Sequence, residues 1–127
     1  MKPEEILETR IAGFMQREFP LQPFRFDLVD NIGLHNGKRY KMLHGARWST
    51  GYPDMFIPFP TKRYHGLYLE LKEGKTIPNT EHTRDQARYH RVLRKLGYKC
   101  DFCLGYVDCI KKIKKHLKNY ATMWNEN

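Results

Sequence analysis

Asp54, Glu70 and Lys72 stand in a stretch that is otherwise apolar, GYPDMFIPFPTKRYHGLYLELK, from Gly51 to Lys72. Two carboxylates and an amine are a set that can do chemistry on a phosphate. A carboxylate pair can hold a hard divalent cation such as Mg²⁺ through oxygen. Such a cation activates water and polarises a phosphoryl oxygen. A lysine alongside can hold the attacking water or meet charge developing on the phosphate. The competing reading is an exposed ion pair between Lys72 and either carboxylate, of the weak kind common on surfaces. The choice turns on whether the backbone brings the three side chains together.

Strand periodicity says that it does. Met55, Ile57 and Phe59 form one face of a strand over about Asp54–Phe59, and Asp54, Phe56 and Pro58 form the other. Over Tyr64–Lys72, Leu67, Leu69 and Leu71 form one face, and Gly66, Tyr68, Glu70 and Lys72 the other. PTKRY, Pro60 to Tyr64, suits a hairpin loop. Centring the hairpin on Lys62 pairs Ile57 with Leu67, Met55 with Leu69 and Asp54 with Glu70, with Lys72 beside them. A slip of one residue would bury charge and expose leucine, so the pattern resists it. Like charges facing each other across a strand pair are unfavourable, and a shared cation would offset that.

The elements around this hairpin follow from pattern. Pro3 to about Phe19 reads as a helix, with Ile6 or Leu7, Ile11, Phe14 and Met15 at helical spacing and Pro20 as its end. FRFDLVD, Phe24 to Asp30, alternates and reads as a strand. Asn31 to Gly51 is basic, punctuated by glycine and read as irregular. A helix is expected from about Thr83 to Leu96, stopped by Gly97, then a strand over Tyr98–Val107. A last helix follows Asp108, with Ile110, Ile113, Leu117 and Tyr120 on one stripe. This order makes a mixed α/β domain, and 127 residues suffice for one such domain with a real core.

The net charge of +9 favours a polyanionic partner, nucleic acid first, against a merely solvated lysine face. No apolar run approaches the length of a membrane span, so no membrane partner is expected. MKPEEILETR lacks the apolar core of a signal peptide, and three closely spaced cysteines suit a reducing compartment. A cytoplasmic location is therefore expected.

Gly51-Tyr52-Pro53-Asp54, then Glu70-Leu71-Lys72, then Gln86, with Gly97 closing that helix, resembles the PD-(D/E)XK nuclease superfamily and, more narrowly, the VRR-NUC family. YHGLYLELK, LGY and LHNGKRY are similar to the small stand-alone members found in phages and prophages. The resemblance covers nearly the whole chain. It implies a restriction-endonuclease-like core, a mixed central sheet flanked by helices. It also implies roles. Asp54 and Glu70 would be metal ligands, with the backbone carbonyl of Leu71 beside them. Lys72 would be the catalytic lysine, and Gln86 would support the site from its helix. An acidic residue on the first helix would complete the cluster. Glu4, Glu5 and Glu8 are candidates, with Glu4 favoured and Glu8 one turn later on the same face.

Each of the last two assignments has a competitor. Acids in a first helical turn complement the helix dipole without further purpose. Thr83-Arg84-Asp85-Gln86 fits a capping box that would tie Gln86 to the helix start.

Other features point less far. Cys100-x-x-Cys103 lacks the second half of a zinc site, and on a strand its thiols face opposite ways. His35-Asn36 lacks the rest of an HNH motif, and the other histidines show no ligand spacing. Lys111, Lys112, Lys114, Lys115 and Lys118 read as a solvated helix face. Lys38, Arg39, Lys41 and Arg47, with Tyr40 and Trp48 interleaved, are better placed to grip phosphates.

The expectation is a Mg²⁺- or Mn²⁺-dependent DNA endonuclease. The resemblance implies branched DNA such as four-way junctions, cut by a homodimer, in a bacterial or phage-infected cell. Two alternatives are a catalytically idle nucleic-acid-binding module and a nuclease acting on ordinary duplex or single-stranded ends.

Overall fold

The computed structural model describes residues 2–27, 32–35, 38–41 and 51–125. Helix α1 spans Pro3–Glu18, with proline in its first turn and Phe19 as C-cap, directly before Pro20. Its buried stripe is Leu7, Ile11, Phe14 and Met15, while Ile6 points outward. Strand β1 is short, Arg25–Phe26. The longer strand expected over Phe24–Asp30 is thus cut down, and residues 28–30 lie outside the described set.

The stretch read as irregular contains a hairpin. β2, Ile32–His35, pairs antiparallel with β3, Lys38–Lys41, from Ile32 opposite Lys41 to His35 opposite Lys38.

The site hairpin has the register its hydrophobic pattern demands. β4, Met55–Ile57, pairs antiparallel with β5, Leu67–Lys72, matching Met55 with Leu69 and Ile57 with Leu67. Both strands are shorter than expected. Pro58 has no N–H to donate, and the Phe59 N–H turns back to the Ile57 carbonyl at 2.9 Å, so β4 stops there. A turn closed by Thr61 N–H to the Tyr64 carbonyl delays the start of β5.

Helix α2, Glu81–Lys95, begins earlier than expected because Thr80 caps it, accepting from the Thr83 N–H at 3.1 Å. Gly97 ends this segment at φ +97°, a conformation that suits glycine. β6, Lys99–Leu104, then pairs parallel with β5, placing Phe102 beside Glu70. The four-stranded sheet has the order β1-β4-β5-β6. Helix α3 runs Gly105–His116, starting before the expected Asp108, because the Asp108 carboxylate accepts from the Leu104 N–H at 2.8 Å and secures the helix start. The expected continuous stripe breaks at Leu117, and a short α4, Tyr120–Trp124, follows.

β5 is covered on both faces. Leu67, Leu69 and Leu71 join the main core with Met55, Ile57 and Phe59, against residues of α1 and α3. Tyr68 joins a second cluster with Leu93 and Cys100, flanked by Tyr52, Phe56, Tyr89 and Tyr98. Each fully buried leucine contributes roughly 1.5–3 kcal/mol. Cys100 and Cys103 fall in different clusters, so their thiols do face opposite ways, and the three cysteines are free and buried.

Candidate active site

Asp54 sits one step beyond the Met55–Leu69 pair, which sets it against Glu70. Both carboxylates are buried, at 7% and 2% exposure. Asp54 is held by the edge of β5: the Leu71 N–H donates to Asp54 Oδ2 at 2.8 Å. Glu70 lies within hydrogen-bonding reach of Asp54, while its Oε1 meets no partner among the described residues. Burial above all, then the hydrogen bond and charge of Asp54, push the Glu70 carboxyl up to about 11, with Lys72 pulling the other way. Glu70 therefore keeps its proton near neutral pH unless a cation takes its place.

A cleft of about 350 Å³ gathers Glu4, Asp54, Glu70, Leu71, Lys72, Glu73, His82 and Gln86. Lys72, half-buried at the end of β5, faces the same space. Of the acids on α1, Glu4 reaches this cleft. Its carboxyl is raised by partial burial and then by the charge of Asp54, with Lys72 opposing. Glu8 is raised by burial and then by Asp54 and Glu4, but it does not line the cleft. Glu5 turns to the helix start, accepting from the Lys2 N–H at 3.2 Å.

Gln86 is not a capping residue. With Thr80 as N-cap, it falls in the second turn of α2, buried at 4% exposure and directed at the cleft. Its Nε2 lies 3.2 Å from His82 Nε2, and donation from the amide requires His82 to carry its proton on Nδ1. Gln86 Oε1 is unpartnered among the described residues. One turn further, His90 is fully buried against Phe102, with ring centroids 4.6 Å apart. Both its nitrogens lack partners among the described residues, and desolvation, then Arg94, lower its pKa to about 4.

Gly51 locks the hairpin to α2. It adopts φ +85°, and a Cβ there would meet the Asp85 carbonyl oxygen at 2.9 Å and the Gln86 Cα at 3.2 Å. Glycine is thus required twice, for the turn and for the close approach that seats Gln86 beside Asp54.

His82, Glu73 and His90 were not anticipated as part of this region. His82 and His90 carry a legible signal, since they flank Gln86 at helical spacing. Glu73 simply follows Lys72. Lys38, Arg39 and Lys41 lie on β3, and Arg47 lies outside the described residues. Lys112 does not belong to a free basic face: it bonds the Phe102 carbonyl and pairs with Asp108 and Asp101.

Among the described residues, no three His, Cys, Asp or Glu side chains form a ready-made metal cluster. The Asp54–Glu70 pair nonetheless suits a hard divalent cation. It offers buried oxygen donors, one of them unpartnered, and a proton that a cation could replace. Water would complete the coordination, as is usual for Mg²⁺. No helix among the described residues is long and apolar enough to cross a membrane.

No protein-family model matches the chain, and no curated protein matches it. A solved structure does. The chain is similar to one described as a VRR_NUC domain protein, with a TM-score of 0.63 and 24% identity, over 93% of this chain and 90% of that one. The mixed sheet, the helices on its two faces and this likeness agree, and the chain has a restriction-endonuclease-like α/β fold.

Proposed function

We propose that the protein is a Mg²⁺- or Mn²⁺-dependent DNA endonuclease of the VRR-NUC type. The observation that carries this reading is the buried Asp54–Glu70 carboxyl pair with Lys72 in the same cleft. An idle binding module has no use for such a pair. Burying two carboxyls side by side costs stability, and a cleft of negative charge repels phosphate.

Asp54 and Glu70, with the Leu71 carbonyl and Glu4, would hold the cation. When bound, the metal would supply a water of lowered pKa and a Lewis acid for the phosphoryl oxygen. Lys72 orients the attacking water and meets charge that develops on the phosphate. Leu71 fixes the Asp54 rotamer through its N–H. Gln86 and His82 hold each other at the wall of the cleft, where the amide can hydrogen-bond water or phosphate. Lys38, Arg39, Lys41 and Arg47 are the sequence's candidates for phosphate contacts. The resemblance to small VRR-NUC proteins supports branched DNA as substrate and a homodimer as the acting form.

The test is a panel of linear duplex, flap, fork and four-way junction DNA, each with Mg²⁺, Mn²⁺ or EDTA. Cleavage is expected with either metal, strongest on the junction, and none in EDTA. Lys72→Ala should lower cleavage by roughly 10²–10³ while DNA binding persists, because it removes one contact specific to the transition state. Wild-type cleavage in EDTA, or full activity of Lys72→Ala, overturns the assignment.

A further inference from the structure

Beside the cleft lies a second cavity, of about 250 Å³, between α1 and the start of α3. Pro3, Ile6 and Leu7 give it a carbon wall. Arg10 and Tyr106 also line it, with the Arg10 guanidinium 3.9 Å from the centre of the Tyr106 ring. Gly105 leaves space next to them, since a Cβ there would meet no described atom within 4 Å. Glu73 lines both this cavity and the Asp54–Glu70 cleft, and it directly follows Lys72, so the two spaces adjoin.

The lining suits a flat ring with a polar edge. The volume falls below the roughly 300–1,000 Å³ of a drug-sized pocket, which leaves room for one ring system. A phosphate is a poor occupant, because the wall is mostly carbon and the Glu73 carboxylate repels it. Guanidinium planes and tyrosine rings are groups on which nucleobases stack. Among the described residues Arg10 forms no ion pair, and its guanidinium rests on the Tyr106 ring. Ile6 is 46% exposed, an apolar side chain left open at the cavity wall. The Glu73 carboxylate can accept from an amino group on a base edge, as acidic side chains do with cytosine.

We infer that this cavity receives a single nucleobase, drawn out of its stack, from a nucleotide next to the phosphate held in the cleft. The inference rests on the nucleic-acid reading of the cleft and adds a base subsite beside it. Leaving the stack costs least where pairing is already broken, so the subsite favours a branch point, a flap or an end over continuous duplex. An apolar side chain from a second copy of the chain is the competing occupant.

The experiment measures DNA affinity in EDTA, where binding is read without cleavage. A single abasic site is walked through successive nucleotides on each side of the branch in a four-way junction and in a flap. In the wild type, one or two positions should lower affinity by roughly 5–150-fold, the range for losing one base–aromatic stack. Tyr106→Ala and Arg10→Ala should bind intact DNA more weakly and lose that positional penalty. Tyr106→Phe keeps the ring and should keep the penalty. Arg10→Lys keeps the charge but not the plane, so the penalty should shrink while the slope of log affinity against log salt stays as in wild type. Melting curves check that each variant folds, and Arg10 is exposed, so its variants leave the core intact. The absence of any penalised position, or a penalty that persists in full in both alanine variants, overturns the inference even if the protein cuts DNA. Loss of a dimer in Tyr106→Ala, read by sedimentation, with the abasic penalty unchanged gives the cavity to a second copy and overturns it too. A penalty coupled to Arg10 and Tyr106 in a protein that never cuts with Mg²⁺ or Mn²⁺ sustains the subsite and overturns the nuclease instead. A wild type that binds no DNA overturns both.

Discussion

The backbone N–H of Leu71 donates to Asp54 Oδ2 across 2.8 Å, so the strand that carries Glu70 and Lys72 also fixes the carboxylate opposite them. One bond thus sets the geometry of the pair. Asp54→Asn keeps an acceptor for Leu71 but weakens the proposed cation site. Asp54→Ala removes both and leaves a buried N–H unpaired, a loss of roughly 1–3 kcal/mol. Chemical denaturation should find Asn close to wild type in stability and Ala well below it. Both should lose cleavage by at least about 10²-fold, which a single-turnover assay reads directly. Equal stability of the two variants would remove the structural role of this bond.

The contact between Gly51 and Asp85 supplies a second expectation. Gly51→Ala forces a Cβ to 2.9 Å from a carbonyl oxygen at a backbone angle alanine avoids. The cost is on the order of 1–3 kcal/mol, seen as a lower Tm. Cleavage per folded molecule should fall as well, because relief of the clash moves Gln86 away from Asp54. Calorimetry combined with active-site titration separates the two effects.

Glu70 makes stability depend on metal and pH together. Its folded pKa of about 11 lies far above the ordinary 4.5. Its contribution is therefore fully present below about pH 4.5 and is lost progressively as pH rises toward 11. In EDTA, Glu70→Gln should raise Tm at pH 8 by roughly 3–5 °C or more, the shift that about 1 kcal/mol produces at this size, and should gain little at pH 4.5. Mg²⁺ or Mn²⁺ should raise the wild-type Tm at pH 8 and leave that of the variant unmoved. A metal shift that survives in Glu70→Gln would place the cation elsewhere.

His90 acts in the opposite sense. Its folded pKa, lowered to about 4, lies below the ordinary 6.5. Its contribution is full above pH 6.5 and falls away as pH drops toward 4, because the unfolded chain takes up the proton first. His116 is lowered too, by burial, although its ring donates to the Phe59 carbonyl at 2.7 Å. His90→Leu removes two nitrogens unpartnered among the described residues at similar volume, so it should be at least as stable as wild type at pH 7.5. Its advantage should widen between pH 6.5 and 4.5, read from melts in EDTA. A constant difference across that range would show that His90 does not titrate with folding.

The hairpin register was legible in the sequence because alternation has period two. Leucine at 67, 69 and 71 against Met55 and Ile57 allows one parity, and that parity sets Asp54 opposite Glu70. The buried stripe of α1 and the stop at Gly97 were legible for equally local reasons, spacing and backbone freedom. The role of Gln86 was not. A capping box at Thr83 and a true cap at Thr80 differ by less than one turn in sequence, and the Thr80 hydroxyl bond to Thr83 decided between them. The burial of Glu70 was also decided by tertiary structure. Its alternation looks like that of a half-exposed strand, but parallel β6 and helix α2 close over that face, setting Phe102 beside Glu70, His90 against Phe102, and Gln86 in the same cleft as the carboxylate. The sequence favoured Glu4 but kept Glu5 and Glu8 open, and the packing of α1 on the sheet put Glu4 in the cleft, with Glu5 at the helix start and Glu8 outside the lining. Local periodicity thus determined which side chains share a face. The long-range packing of α1 and α2 on β5 decided which of them are dry, shifted in pKa and gathered in one cleft, because desolvation arises only when distant segments meet.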